Sequence, residues 1–264
     1  MSAFDHILSH TTNTIENNTS SITWTPDASW YQGRGVYGGL LFACMSKHLG
    51  TISSFPIRNL HVDLCAPILA KETLLVFRKI RKGINTDFFH IEVTQQHQVI
   101  AHGTAICGGT RYTGIDRTLR PFPAPPLPST PPLASHPLMP TFTQYFSYWP
   151  TMGNLPFSAS TELTTGGWIS IKDHEQLNST SISALIDAWW PCLALALDKP
   201  RSMGTISCSI DFMHSGMDTV YTHPYFLQNT TQEIVDGYAI EHNTLWTHDG
   251  TLLAHCQQNV VVIN

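Results

Sequence analysis

The hydrophobic positions of this chain fall into two blocks with the same order of elements. In the first, GGLLFACMSKHLG (38–50) has the apolar spacing of a helix, with Gly50 as its expected stop. Four runs then read as strands: IRNLHVDLCAP (57–67), ETLLVFRKIRKG (72–83), DFFHIEVTQQ (87–96) and VIAHGTAICGG (99–109). In the second block, SISALIDAWWPCLALAL (181–197) predicts one buried helix. Ile182, Leu185, Ile186, Trp189, Trp190 and Leu193 form its stripe, and Ala184, Ala188, Ala194 and Ala196 let a sheet approach the other sides. Strand-like runs follow again: GTISCSIDFMH (204–214), YFLQNTTQEIV (225–235), YAIEHNTLWT (238–247) and TLLAHCQQNVVVI (251–263). A short strand precedes each helix, SITWTP (21–26) and GGWISIK (166–172). VIAH (99–102) answers LLAH (252–255), and LHVDL (60–64) answers CSIDF (208–212), in the same order and at the same strand ends. The pattern is that of an internal duplication.

Between the blocks, PFPAPPLPSTPPLASHPLMP (121–140) holds nine of the seventeen prolines. Such a stretch lacks the N–H donors of a helix or a central strand and reads as an extended connector. The expected organisation is an N-terminal unit over 1–114, a connector over 115–158 and a C-terminal unit over 159–264. A long antiparallel sheet around one central helix, present twice in one chain, is an α+β double hotdog. Its two sheets should pair edge to edge into one, with both helices on one face, because that pairing covers strand edges otherwise open to aggregation.

Composition narrows the function. Hydrophobic residues make up 42% of the 264 and charged residues 12%, enough to bury a large core. A formal net charge of −5 argues against nucleic acid as a partner. No apolar run reaches the roughly 18 residues of a membrane span, and MSAFDHILSHTTNTIENN lacks the basic start and apolar core of a signal peptide. The six cysteines are scattered, without a CxxC pair, as buried thiols of a cytoplasmic protein would be. The fourteen histidines lack the HExxH or HxH spacing of metal ligands, and no G-x-S-x-G elbow marks a serine hydrolase. No metal and no cofactor is expected.

SALIDAWWP (183–191) carries the one charged side chain between Glu175 and Asp198. Pro191 has no N–H for the carbonyl of Asp187, so the helix should bend or open at the aspartate and leave a polar notch. A carboxylate buried there should have a raised pKa unless donors hold it ionised.

The ordered set WYQGRGVYGGLLFA (30–43), HVDLCAP (61–67), PFSASTELTTGGWI (156–169), ALIDAWWP (184–191) and DGTLLAHCQQNVVV (249–262) resembles the TesB-like acyl-CoA thioesterases from about residue 25 onward. The resemblance implies a double hotdog that hydrolyses acyl-CoA. It also implies a catalytic trio of an Asp on the second helix, a Thr on the next strand and a Gln on the last. The matching positions are Asp187, Thr205 and Gln258. Overlaying the two blocks sets Thr205 against Ile57 and Gln258 against Ala105, so the polar site belongs to the second half alone. Gly38 and Gly39 open the first helix, where free N–H groups favour negative charge, and are the candidates for polarising a substrate carbonyl. Gln258 rather than Gln257 is expected to face inward, because adjacent strand residues point to opposite sides. Tyr37 and Trp190 are the candidates to limit the acyl chain, since Trp190 lies nearly one turn beyond Asp187.

Other readings stand beside these. Asp187 as a helix-face carboxylate tied to a backbone N–H, Thr205 as a strand former and Gly38–Gly39 as a tight turn are the structural alternatives. A non-catalytic acyl-binding or assembly hotdog is the rival class, and a hydratase or dehydratase the rival enzyme. His61 lies near the dehydratase histidine, but the GxxxxP context is missing. All three polar positions are present, which favours the hydrolase. The expected partners are an acyl-CoA substrate, or an acyl carrier protein in its place, and a second copy of the chain in a homodimer.

Overall fold

The structure, a computed structural model, describes residues 2–9, 13–16, 18–111, 124–214 and 218–263. A short helix, α1 (Ala3–Ile7), is closed by a capping box from Ser2 and Asp5, and β1 (Asn13–Glu16) and β2 (Thr19–Trp24) follow. The small ribbon of β3 (Tyr31–Gln32) and β4 (Gly35–Val36) leads into the helix α2 (Gly38–Ile52). The first half then runs through β5 (Ile57–Leu64), β6 (Thr73–Lys82), β7 (Thr86–Gln95) and β8 (Gln98–Gly108). The second half contains β9 (Phe146–Met152), β10 (Thr164–Ile171), β11 (Gln176–Leu177), α3 (Ser179–Ile186) and α4 (Leu193–Ala196). It ends in β12 (Met203–Phe212), β13 (Thr219–Val220), β14 (Tyr225–Val235), β15 (Tyr238–Trp246) and β16 (Leu252–Val262).

Twelve strands form one sheet in the order β1-β2-β6-β7-β8-β5-β12-β16-β15-β14-β10-β9, antiparallel throughout. The halves meet where β5 pairs β12, with His61 opposite Ser209 and Asn59 opposite Asp211. The main core draws on α2, α3 and the inward residues of both halves, so the sheet wraps both helices. This is the double hotdog expected from the sequence, with two antiparallel sheets joined into one. The duplication extends to irregularities: the β5–β8 register shifts between Ile57 and Asn59, and the β12–β16 register shifts between Thr205 and Ser207. Among the described residues no helix is long and apolar enough to cross a membrane.

Three expectations need correction. The first helix does not stop at Gly50; it continues to Ile52 and leaves the helix at Ser53, which is extended with φ −120°. Gly50 is not among the residues of positive φ, and without that conformation a glycine permits a stop but does not impose one. The stretch 181–197 is not one helix but two, α3 and α4, separated at residues 187–192. The end of the Pro-rich connector is not all irregular: β9 lies inside it and pairs β10. Residues 112–123, at its start, lie outside the described residues. From residue 124 it runs over the outer face, where the Trp168 indole donates to Pro125 O at 3.0 Å, the Trp149 indole donates to Thr130 O at 3.1 Å, and Ala124 and Leu127 pack on Trp168, Phe226 and Trp246.

Candidate active site

The site is built on the break between α3 and α4. Asn178 caps α3 by accepting from the Thr180 and Ser181 N–H groups, and the helix ends at Asp187. Because Pro191 cannot donate to the Asp187 carbonyl, the chain opens and its peptide groups find partners on the sheet. Asn243 donates to Ile186 O at 3.0 Å, the Tyr148 hydroxyl donates to Ala188 O at 3.0 Å, and Asn229 donates to Trp190 O at 3.5 Å. Beyond the proline, the N–H groups of Cys192 and Leu193 donate to the two oxygens of Glu241 at 3.0 and 2.9 Å.

The Asp187 carboxylate bridges the two halves. Its Oδ2 accepts from the Gly39 N–H at 2.5 Å and its Oδ1 from Gln258 Nε2 at 2.5 Å. Gly39 lies in the first turn of α2, whose free N–H groups and dipole attract an anion. A β-carbon on Gly38 would stand 3.0 Å from Asp187 Oδ2. On Gly39 it would collide with the edge of the Tyr37 ring and stand 3.0 Å from Ala184 O, so the glycines allow the helices this approach. Burial pushes the Asp187 carboxyl up to about 7, and the charge of Glu241 adds to the rise. The bonds from Gln258 and Gly39 oppose it.

Of the residues expected from the sequence, Asp187, Gly39 and Gln258 come together directly, and Gly38 lines the approach. Gln258 faces inward at 5% exposure while Gln257 is exposed. Thr205 stands opposite Val260, beyond the register shift, and makes no hydrogen bond to Asp187 or Gln258. The residue opposite Gln258 is Cys208, a buried thiol 3.9 Å from Gln258 Nε2 and 3.3 Å from Cys256 Sγ. Tyr37 caps the start of α2 inside an aromatic cluster, stacked on Phe142 with ring centres 4.2 Å apart. Trp189 is buried, with its indole donating to Thr165 Oγ1 at 3.1 Å. Trp190 is partly buried beside it, and its indole N–H has no hydrogen-bond partner among the described residues. Glu241 and Asn243 escaped the sequence reading. The signal was the alternation in YAIEHNTLW, where Ala239 and Leu245 set the inward parity that places both polar residues inside.

Residues 26–108 match the family model of the acyl-CoA thioesterase N-terminal domain, and residues 120–262 match that of the C-terminal domain. The chain belongs to the acyl-CoA thioesterase family. Solved structures agree in fold over the full length of this family member. A conserved protein of unknown function with a hot dog fold from Alicyclobacillus acidocaldarius superposes with a TM-score of 0.87 at 21% identity, covering 100% of this chain and 99% of its own. The tesB protein of Mycobacterium avium subs paratuberculosis gives 0.76 at 10% identity, covering 99% and 98%. The acyl-CoA thioesterase II TesB2 of Mycobacterium marinum gives 0.74 at 16%, covering 99% and 98%. No curated protein sequence matches the chain.

For a member of the acyl-CoA thioesterase family, the chemical content of the site is compact. A carboxyl titrating near neutrality is set against the N–H groups of a helix start and is steadied on its other oxygen by an amide. A base poised near the working pH and a backbone donor a hydrogen bond away are what acyl transfer to water requires.

Proposed function

We propose that the protein hydrolyses an acyl-CoA thioester to the free acid and CoA by direct attack of water, without a covalent acyl-enzyme. The observation that supports this reading is the Asp187 carboxylate held between the Gly39 N–H and the Gln258 amide. On substrate entry the thioester carbonyl oxygen takes over the Gly39 N–H. Asp187 Oδ2 then turns to a water while Oδ1 stays on Gln258. Asp187 accepts a proton as the water oxygen bonds to the carbonyl carbon. The Gly39 N–H and the dipole of α2 stabilise the resulting oxyanion. Its collapse breaks the carbon–sulfur bond, and the proton passes from Asp187 to the leaving thiolate. The resemblance assigns a second contact to this water to Thr205, which stands opposite Val260, the next inward residue of β16 after Gln258; the Cys208 thiol opposite Gln258 is a further, weaker donor.

The acyl chain lies along the apolar face between the helices, with Trp190 as its limit, which favours short, branched or aromatic acyl groups. CoA is the preferred carrier over acyl carrier protein, and the chain works in the cytoplasm as a homodimer of twice 29.4 kDa, which light scattering will read directly.

Release of free thiol from acyl-CoAs of C2 to C18 and aromatic type tests the reading. Asp187→Asn and Gln258→Ala are expected to lower kcat by about 10²–10⁴-fold with the fold intact, while Gln257→Ala stays near wild type. Wild-type rates in Asp187→Asn, or an acyl group trapped on Asp187, would overturn it.

A further inference from the structure

We propose that Glu241, acting with Asn229 and Asn243, is a positioning clamp that grips the helix break on both sides of Asp187 and so aims its carboxylate. The catalytic part of this proposal rests on the hydrolase reading above. The clamp spans three neighbouring strands: Asn229 on β14 pairs Asn243 on β15, and Glu241 on β15 pairs Gln258 on β16. Asn243 holds the carbonyl just before Asp187, at Ile186. Asn229 holds the one at Trp190, and Glu241 holds the N–H groups of Cys192 and Leu193. Asn229 also donates to Glu241 Oε2 at 2.7 Å, which joins the grips into one network.

Glu241 is 0% exposed, and a buried carboxylate is tolerated only where several donors meet it, as three do here. The first half shows that the fold itself does not need this network. There the corresponding pairs are Phe77 with Ile91 and Phe89 with Ala105, all apolar, and they pack against the unbroken α2. Break, clamp and aspartate occur together in the half that carries the site.

The titratable groups facing Asp187 are Tyr37 ahead of α2, Cys208 on β12 and Glu241 on β15. Burial pushes the Tyr37 and Cys208 groups up, which keeps both neutral at pH 7. Burial pushes Glu241 up too, and the bonds from Leu193, Asn229 and Cys192 oppose it; of the three it is the group whose charge raises Asp187.

The test combines two readouts. Carbon-13 NMR of carboxyl-labelled aspartate, assigned through Asp187→Asn, follows the titration of Asp187, and thiol release from the acyl-CoA panel gives kcat and KM. Glu241→Gln is expected to lower the Asp187 midpoint by about half a pH unit or more. It should also lower kcat by about tenfold or more, with KM within about threefold. Thr231→Val serves as control, because Thr231 is the buried partner of Glu241 across β14–β15 and its hydroxyl bonds to the Glu233 and Ile240 carbonyls, outside the clamp; it should leave midpoint and kcat as in wild type. A folded Glu241→Gln with the wild-type midpoint and kcat overturns the proposal, as does an equal loss in Thr231→Val. Should Glu241→Gln not fold, Asn243→Leu decides: a tenfold fall in kcat at constant KM supports the clamp, and a wild-type kcat overturns it. If the wild type cleaves no acyl-CoA, the hydrolase reading fails, and the Asp187 midpoint alone then decides the clamp.

Discussion

A carboxyl that titrates near 7 in the folded protein and near 3.9 in the unfolded chain ties stability to pH in a set direction. Between those values the folded state holds a proton that the unfolded state has released. Stability from this group is therefore full below about pH 4 and is lost as pH rises toward 7. The slope is about 1.4 kcal/mol per pH unit, so the total is on the order of 4 kcal/mol. Asp187→Asn, which removes the buried charge at nearly constant shape, is expected to be more stable than wild type at pH 8 and to show a flatter profile from pH 4 to 7. Urea unfolding at a series of pH values measures this, and a variant weaker than wild type at pH 8 would contradict it. On the proposed mechanism the same titration governs catalysis: kcat/KM is then expected to rise with pH through about 7, since only the ionised carboxylate would accept the proton of the water.

At the scale of elements, the break between α3 and α4 separates what could be read in the sequence from what could not. The strand runs and their order were legible, because each is a local apolar pattern bounded by turns, and they match the observed strands to within a few residues. Pro191 announced an opening at Asp187. Its extent was hidden, because the groups that satisfy the opened backbone, Tyr148, Asn229, Glu241 and Asn243, sit on strands about 40 to 60 residues away. The overlay of Thr205 with Ile57 matches the two register shifts, but the pairing partners they set, Val260 for Thr205 and Gln258 for Cys208, could not be read from the sequence, because a bulge leaves no local pattern. The two tryptophans of the break should behave differently. Trp189 lies against Gly167 of β10 and bonds Thr165, so Trp189→Ala is expected to destabilise the protein by about 3–5 kcal/mol in urea unfolding. Trp190→Ala should instead shift the preferred acyl length upward in the thiol-release assay; an unchanged profile would remove Trp190 from the chain-length limit.

For the molecule as a whole, the decisive contact is the seam of β5 and β12. It pairs two strands that each unit alone would leave with a row of open peptide groups. Residues 1–114 produced alone are thus expected to self-associate through β5, and co-production with 115–264 should give a one-to-one complex. Size-exclusion chromatography with light scattering distinguishes these outcomes, and a monodisperse monomer of 1–114 would show that the seam is dispensable.

The contrast between the two inward faces has one more consequence. In a symmetric pair of separate single repeats, every residue placed for chemistry is placed twice, and so is every polar group that the interior must tolerate. Covalent linkage lifts that constraint. Gln258, Glu241, Asn243 and Asn229 can face inward in one copy while Ala105, Phe89, Ile91 and Phe77 hold the other together. The first copy is free to be apolar on its inward strands, and it supplies the second with the helix start that the aspartate leans on. Asymmetry is what the joined chain gains over a twofold assembly of its halves.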